Sequence, residues 1–375
     1  MPEGCYQPED LDKLVPDINL NNTTPLPEVS IEEEDVASMI YTSGTTGFSK
    51  GVVLTHKNLV WDASQCRTIQ PVDETYRFLS ILLMAHTYEN ALGLLLPLMF
   101  GAQVYYMDRV PTPKLLVPAM QKIRPTVVLS VPLIIEKIYK SQVLPKFTSS
   151  KLMSKLYQFA PARKLFNRLA GKKLMETFGG ELKFFGIGGS KLDGTVEQFL
   201  REAKFPYAIG YGVTETTAVA AGSNPSQTFL QGVGPVMEGV QIKINDPDKS
   251  GQGEIWIKGP NVMKGYYKRP ELTAETFTED GWFKTGDLGS FDKKNRLAIR
   301  GRIKTMILGA SGENIYPEEI ESIINNFRFV NESLVVENSG KLVAMVHFNM
   351  EELEEQYQKY ERPSRELQGK NQRLH

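Results

Sequence analysis

Cysteine and histidine are scarce in this chain of 375 residues, which holds Cys5 and Cys66 and four histidines, His56, His86, His347 and His375. Two cysteines cannot build a disulfide framework, and their scarcity fits a reducing, cytoplasmic compartment. The histidines form neither an HExxH motif nor a Cys/His zinc spacing. An excess of charge is missing too. The 43 Lys+Arg stand against 44 Asp+Glu, a net charge of −1, so nothing in bulk composition points to a nucleic-acid partner. The N-terminus MPEGCYQPEDLDK is acidic and has no apolar stretch, so it does not read as a signal peptide. Long hydrophobic runs are also lacking, with one test case: residues 90–107, NALGLLLPLMFGAQVYYM, carry no charge. Asn90, Gly93, Pro97, Gly101 and Gln103 interrupt that stretch, and it reads as a buried helix followed by a strand rather than a membrane span.

What is present is a globular composition. Hydrophobic residues make up 41% of the chain, with 31 Gly and 22 Pro, enough for two or three domains with proper cores. Charge is unevenly placed: residues 1–35 carry ten acids and one base, Lys13, leaving a modest positive excess for the remainder. That excess suits anionic small molecules, although a solvated face explains it equally well.

Along the chain, residues 1–35 read as an irregular lead-in. From Val36 onward short apolar runs alternate with amphipathic segments: strands at 37–41, 78–84, 103–107 and 125–131, and helices at 56–70, 91–100 and 114–122. Such alternation predicts crossover units and a parallel sheet flanked by helices. Residues 136–180 are mostly helical and basic, followed by short buried strands at 182–187 and 207–211. From about 221 the pattern turns to β, with strands at 240–244, 253–258, 282–284 and 296–299 predicting a small antiparallel subdomain. A last unit has a strand at 305–308, a helix at 317–325 and strands at 330–337 and 341–348; the tail 351–375 is charged and poor in apolar residues.

Four segments carry chemistry. In the first, Thr42, Ser43, Gly44, Thr45, Thr46, Gly47, Lys50 and Gly51 follow a predicted buried strand. Glycines let backbone N–H groups converge on an anion, hydroxyls add donors and Lys50 adds positive charge. It is not a Walker A loop, and no glycine cluster fits the dinucleotide pattern GxGxxG. In the second, a strand ends in Gly210, Tyr211 and Gly212, then presents Thr214 and Glu215. Ligands of open parallel sheets lie beyond strand carboxyl ends, where Tyr211 could stack on a base and Glu215 hold Mg²⁺; a capped helix start accounts for Thr-Glu about as well. The third places Asp287 in a tight turn, within GWFKTGDLG, where it could bind a ribose diol or simply close the turn. The fourth pairs Arg302 with Lys304, ahead of a loop with Gly312, as a nucleotide grip and hinge or as a surface loop.

In this order, the four segments resemble the adenylate-forming (AMP-binding) superfamily of acyl-CoA synthetases, luciferases and peptide-synthetase adenylation domains, over residues 36–325. The finer match is to bacterial long-chain fatty acid–CoA ligases. It rests on MAHTYE (Met84 to Glu89), RPT (Arg124 to Thr126) with Val131-Pro132 and EKIY (Glu136 to Tyr139), and GPNVMKGYY (Gly259 to Tyr267). The resemblance implies an α/β adenylate-forming fold. Its large AMP-binding domain spans 36–303 (α/β to about 220, β-rich from about 221), and a partial small C-terminal domain spans 304–375. It further implies that Thr42–Gly47 and Lys50 bind the ATP β/γ-phosphates, that Thr214 contacts the α-phosphate and that Glu215 ligates Mg²⁺. Gly189, Ser190 and residues 210–212 would frame the adenine, and Asp287 with Arg302 would hold the ribose. Lys304 falls at the hinge, His86 and Tyr88 near the acyl pocket, and Gly312 where the pantetheine arm of coenzyme A passes. The implied reaction joins a fatty acid to CoA through an acyl-adenylate, consuming ATP.

The family carries roughly another subdomain ahead of its phosphate loop, and a late lysine in a Pro-Lys-Thr…Gly-Lys segment. Neither is visible here, Gly369-Lys370 being a faint echo. The expectation is a fragment of a longer ligase that binds nucleotide better than it forms adenylate, with apolar faces exposed. Two rivals stand beside it: an enzyme activating other acids, and a nucleotide- or acyl-CoA-binding relative without turnover. Oligomeric state is not legible, and peripheral contact with the inner membrane face is plausible for an enzyme of long-chain acids although no amphipathic anchor stands out.

Overall fold

A computed structural model describes residues 29–43, 49–107, 111–148, 150–308, 314–325, 327, 329–338, 341–350, 353, 354 and 357. Gly44 to Gly47, Gly312 and Lys370 therefore lie outside the described residues, as do Cys5 and most of the acidic lead-in.

The first two strands, β1 (Val36–Ser43) and β2 (Ser49–Thr55), pair antiparallel. The sequence predicts a buried strand feeding a parallel sheet at this point. Instead β1 is half-exposed, and it belongs to a small three-stranded sheet of its own. The two strands are separated by five residues in sequence, so their pairing is local and no crossover is needed.

The parallel sheet begins one element later. Strands β3 (Arg77–Ser80), β4 (Gln103–Tyr106), β5 (Val127–Ser130), β6 (Phe184–Ile187) and β7 (Tyr207–Tyr211) run parallel, and β8 (Ala221–Gly222) joins antiparallel, in the order β4-β3-β5-β6-β7-β8. Every residue of β5 and β6 is buried, as expected for strands covered on both faces. One face packs against the helix His56–Ile69 and the segment following residue 87, in a core that includes Leu59, Ala63, Leu92 and Leu96. The other face is covered by helices that include Pro113–Ile123, Ala160–Thr177 and Gly194–Ala203, through Met120, Leu174, Phe199 and Leu200. Asp193 caps the last of these, its Oδ1 accepting from the N–H groups of Thr195 (2.8 Å) and Val196 (3.0 Å).

The uncharged stretch 90–107 is a helix followed by a strand, but not one regular helix. It is a π-helix, Asn90–Leu95, continued by a short α-helix, Leu96–Met99, and then β4. No described helix is long and apolar enough to cross a membrane.

The antiparallel part follows. Strands β9 (Gln241–Asn245), β10 (Gly253–Lys258), β11 (Gly265–Tyr266), β12 (Phe283–Phe291) and β13 (Leu297–Arg302) form a four-stranded sheet, β13-β12-β10-β9, except that β11 leaves it to pair with β2. Strand β12 runs well past the predicted 282–284, so Asp287 lies within a strand, opposite Arg302, and not in a tight turn. Two ribbons, Ile307–Leu308 with Asn314–Ile315 and Val330–Asn338 with Lys341–Phe348, and the helix Pro317–Ile324 complete the described chain.

One side chain ties these parts together. Asn58, buried in the first turn of the helix after β2, accepts from the Thr55 N–H (2.9 Å) while its own N–H donates to Thr55 Oγ1 (3.2 Å). Its amide nitrogen donates to the carbonyls of Pro260 (2.7 Å) and Val262 (2.9 Å). Replacing Asn58 with Ala leaves the buried Thr55 N–H without its acceptor and two carbonyls without their donor, while the Thr55 cap itself remains. The expected loss is about 3 kcal/mol of unfolding free energy, measured by urea denaturation at neutral pH.

Candidate active site

A cavity of about 1350 Å³ opens where the carboxyl ends of β3, β6 and β7 meet the three-stranded and four-stranded sheets. Its size exceeds that of most single-ligand pockets. Thr42 and Lys50 enter from β1 and β2, His86 and Tyr88 from the segment after β3, and Gly188 and Gly189 from the end of β6. Gly210, Gly212, Thr214 and Glu215 enter from β7 and its turn, Gly286 from β12, and Arg302 and Lys304 from the end of β13.

Strand register brings the first two charges together. Tyr266 lies opposite Val52, and Lys50 shares a strand face with Val52 because side chains alternate along β2. The lysine is thus a diagonal neighbour of the tyrosine, within reach of long side chains. Lys50 Nζ stands 5.0 Å from the centre of the Tyr266 ring, and the Tyr266 hydroxyl donates to Glu215 Oε1 at 2.7 Å. Burial, and then the Glu215 carboxylate, push the tyrosine's pKa up, keeping it a neutral donor.

The turn carrying Glu215 is held from below. Gly212 fits where no other residue does, since a Cβ there would meet the Ala218 carbonyl oxygen at 2.2 Å. Thr217 takes a left-handed conformation, φ 65°, fixed by its hydroxyl donating to the Asn261 carbonyl at 2.8 Å. Fully buried Asn261 donates back to the carbonyls of Thr216 (3.3 Å) and Val219 (3.2 Å). The Met263 N–H donates to the Glu215 carbonyl at 2.8 Å, a main-chain bond that pins the turn whatever side chains surround it.

On the β12–β13 side, Arg302 Nε donates to Asp287 Oδ1 at 2.8 Å and the Tyr211 hydroxyl donates to Asp287 Oδ2 at 2.8 Å. Burial raises the Asp287 pKa, with Arg302 opposing it. Tyr211 is itself buried, whereas Gly210 and Gly212 on either side of it line the cavity. Stacking on a base, the role read from sequence, would require the Tyr211 ring to be uncovered. Arg302 is half-exposed and lines the cavity, Gly189 lines it with φ 90°, and Ser190 is exposed beside it. Lys304 is exposed at the rim. Gly44 to Gly47 and Gly312 cannot be placed, as they lie outside the described residues.

Three residues of this site carry no role in the sequence reading: Tyr266, Asn261 and Glu89. The first two sit in the segment GPNVMKGYY, where a buried asparagine between a strand and a Gly-Tyr-Tyr turn is the legible signal. Glu89 is 1% exposed. Ser80 Oγ donates to its Oε1 at 2.5 Å, whereas its Oε2 has no hydrogen-bond partner. The carboxyl lies against Gly93 of the π-helix, where a Cβ would come within 2.6 Å of Oε1. Burial pushes its pKa up to about 7, with the Ser80 hydroxyl opposing. Among the described residues, no group of three or more His, Cys, Asp or Glu side chains could hold a metal ion.

The chain is similar to known proteins over most of its length. The profile of the AMP-binding enzyme family matches residues 3–267. Long chain acyl-CoA synthetase 6, peroxisomal, of Arabidopsis thaliana is 33% identical over 340 residues, covering 84% of this chain and 48% of that protein. Long-chain-fatty-acid–CoA ligase 1 of Saccharomyces cerevisiae is 31% identical, covering 82% of this chain and 47% of that protein. The chain thus spans about half the length of these curated relatives. Among solved structures, ATP-bound MatB from Rhodopseudomonas palustris superimposes with a TM-score of 0.70 at 27% identity, covering 87% of this chain and 60% of that one. O-succinylbenzoate coenzyme A synthetase (MenE) from Bacillus subtilis, in complex with ATP and magnesium ion, gives 0.69 at 26% identity, covering 86% and 62%.

The raised pKa of Glu89 has a measurable sign. Its proton is held more tightly in the folded chain, so the stability it contributes is fully present below the ordinary pKa of 4.5 and is lost as pH rises through about 7. Glu89→Gln removes that loss. Between pH 4 and pH 8 the variant should gain about 3 kcal/mol in unfolding free energy relative to the parent, read from urea curves at both pH values. Parallel pH profiles for the two proteins would refute the assignment.

Proposed function

The chain belongs to the AMP-binding enzyme family, and we propose that it activates a fatty acid with ATP, as acyl-adenylate, for transfer to coenzyme A. The observation that carries this reading is the cavity shared by Lys50, Tyr266 and Glu215, from three separate parts of the sequence. The acid specificity rests on the cavity's other wall. Leu82, Met84, Tyr88, Met107 and Val131 present apolar surface there. Behind Tyr88 and Gly210 lies a smaller apolar cavity of about 40 Å³, lined also by Cys66, Leu92, Leu96 and Phe184. The wall of the large cavity suits an aliphatic chain, whereas the smaller cavity has room for little more than a methylene group.

In this mechanism the polyphosphate lies toward Lys50, whose ammonium offsets charge on the phosphoryl oxygens. Thr214 supplies a hydroxyl near the phosphorus attacked by the acid's carboxylate, and Arg302 with Asp287 positions the ribose. The residues fit Mg²⁺ as a companion of the nucleotide: this ion usually takes one or two carboxylates and completes its shell with water and substrate phosphates. Glu215 is the carboxylate that would hold it, and when bound the ion supplies charge neutralisation at the phosphates. Tyr266 keeps Glu215 oriented through the bond to its Oε1. Once pyrophosphate leaves, the CoA thiol, losing its proton, attacks the acyl carbonyl and the acyl–O bond breaks to release AMP, and Lys304 marks the pivot about which the following segment reorients between the two half-reactions.

Calorimetric titration with MgATP tests the nucleotide half of the proposal, and AMP release from a panel of C4 to C18 acids with CoA tests the acid half. Lys50→Ala should weaken MgATP binding roughly 10- to 100-fold, the effect of removing a charged hydrogen-bonding partner. Glu215→Gln should weaken binding in the presence of Mg²⁺ and leave Mg²⁺-free nucleotide binding almost unchanged. A folded protein that takes up no ATP would overturn the reading. Binding of ATP and CoA with no AMP release would replace the ligase by a non-catalytic binder.

A further inference from the structure

Between Glu136 and Glu176 the sequence holds ten lysines and arginines and not one acidic residue. Two helices occupy most of the second half of that stretch, Lys151–Gln158 and Ala160–Thr177. The longer helix turns Asn167, Gly171 and Leu174 toward the core, and Arg163 is tied to Glu202 at 2.8 Å. Its outer side carries Lys164, Arg168 and Lys172, spaced by four residues and exposed.

Beside that basic row runs an apolar one. Leu165 and Leu169, again four residues apart, are each 58% exposed; Leu152, Leu156 and Phe159 continue the exposed apolar surface along the shorter helix and the joint. Lys151 and Lys155 flank them. Residues four apart share a helix face, so each helix shows rows of exposed leucine and lysine side by side. An ordinary solvated face would mix charge signs and would not expose five large apolar side chains on two successive helices.

We propose that these two helices form a docking surface for an anionic lipid bilayer, lying in the headgroup plane with the leucines and Phe159 inserted and the basic rows on lipid phosphates. Helices that lie on membranes combine Leu and Phe, which insert, with flanking Lys and Arg, which reach the headgroups. Charge complementarity selects an anionic surface over a neutral one, and the exposed apolar row selects a bilayer over a soluble polyanion. No described helix could cross a membrane, so the contact is peripheral. The surface itself owes nothing to the nucleotide reading.

Co-sedimentation of the full chain with vesicles tests this, comparing phosphatidylcholine alone with a phosphatidylcholine–phosphatidylglycerol mixture of roughly three to one, each at low salt and at about 0.5 M NaCl, where exposed charges are screened. The expected result is binding to the mixed vesicles at least tenfold stronger than to the neutral ones, with most of it lost in high salt. The triple variant K164E/R168E/K172E and the double variant L165S/L169S should each reduce binding at least fivefold while leaving thermal unfolding and MgATP titration unchanged, since all five side chains are exposed. Equal binding to neutral vesicles, or no binding to either, would overturn the proposal. Loss in the charge variant with no loss in the leucine variant would overturn it in favour of a soluble polyanion, with a DNA oligonucleotide as the probe. Vesicle binding without ATP binding, or the reverse, assigns each failure to its own claim.

Discussion

The cavity depends on a knot of buried amides. Asn58 holds the carbonyls of Pro260 and Val262, and Asn261 between them holds those of Thr216 and Val219. Asp62, one turn beyond Asn58, accepts from the Val219 N–H at 3.2 Å. Three stretches far apart in sequence are thereby fixed to one another: the helix after β2, the turn after β7, and the approach to β11. Each buried carbonyl in the knot would cost free energy if left without a donor, so the three stretches cannot drift independently. Placing Lys50, Glu215 and Tyr266 around one space is a consequence of that constraint.

The same low-dielectric setting explains why acids near the cavity behave differently. Asp287 has a guanidinium and a phenol as partners, and burial still outweighs them in raising its pKa. Glu89 has the Ser80 hydroxyl on one oxygen, and its second oxygen is orphaned. Asp62 is fully buried with one oxygen unpartnered and is pushed well up by desolvation. Carboxyls held in this way keep their protons to higher pH than exposed ones, and of the three Glu89 is the one that lines the cavity.

Much of the architecture is legible in the residues because it is written in short-range pattern. The apolar run Val127–Leu129 of β5 and the alternation of strands and helices each reflect local physics. The position of β1 is not: a strand that pairs with its neighbour through a short loop has the same apolar pattern as one that crosses over. Asp287 misleads for a similar reason, since Gly-Asp within a strand looks like Gly-Asp in a turn until its partner, Arg302 on β13, is known. Tyr211 and Asp287 can be named from sequence, but their mutual hydrogen bond spans 76 positions. The π-helix at Asn90–Leu95 leaves no periodic signal of its own; it sits where Glu89 meets Gly93, four residues on, at a distance no larger side chain would allow.

Tyr266 shows how a long-range constraint becomes chemistry. Its strand has two residues, too short to be stable alone, and it leaves the four-stranded sheet to pair with β2. That departure is what places a phenol between the lysine of one motif and the carboxylate of another. The hydroxyl donates to Glu215 while the ring face lies toward Lys50, so a neutral side chain touches both charges and lets neither collapse onto the other. A direct Lys50–Glu215 ion pair would satisfy both groups and close the space between them. With Tyr266 between, the ammonium and the carboxylate remain apart, each available to a ligand that carries charge of its own.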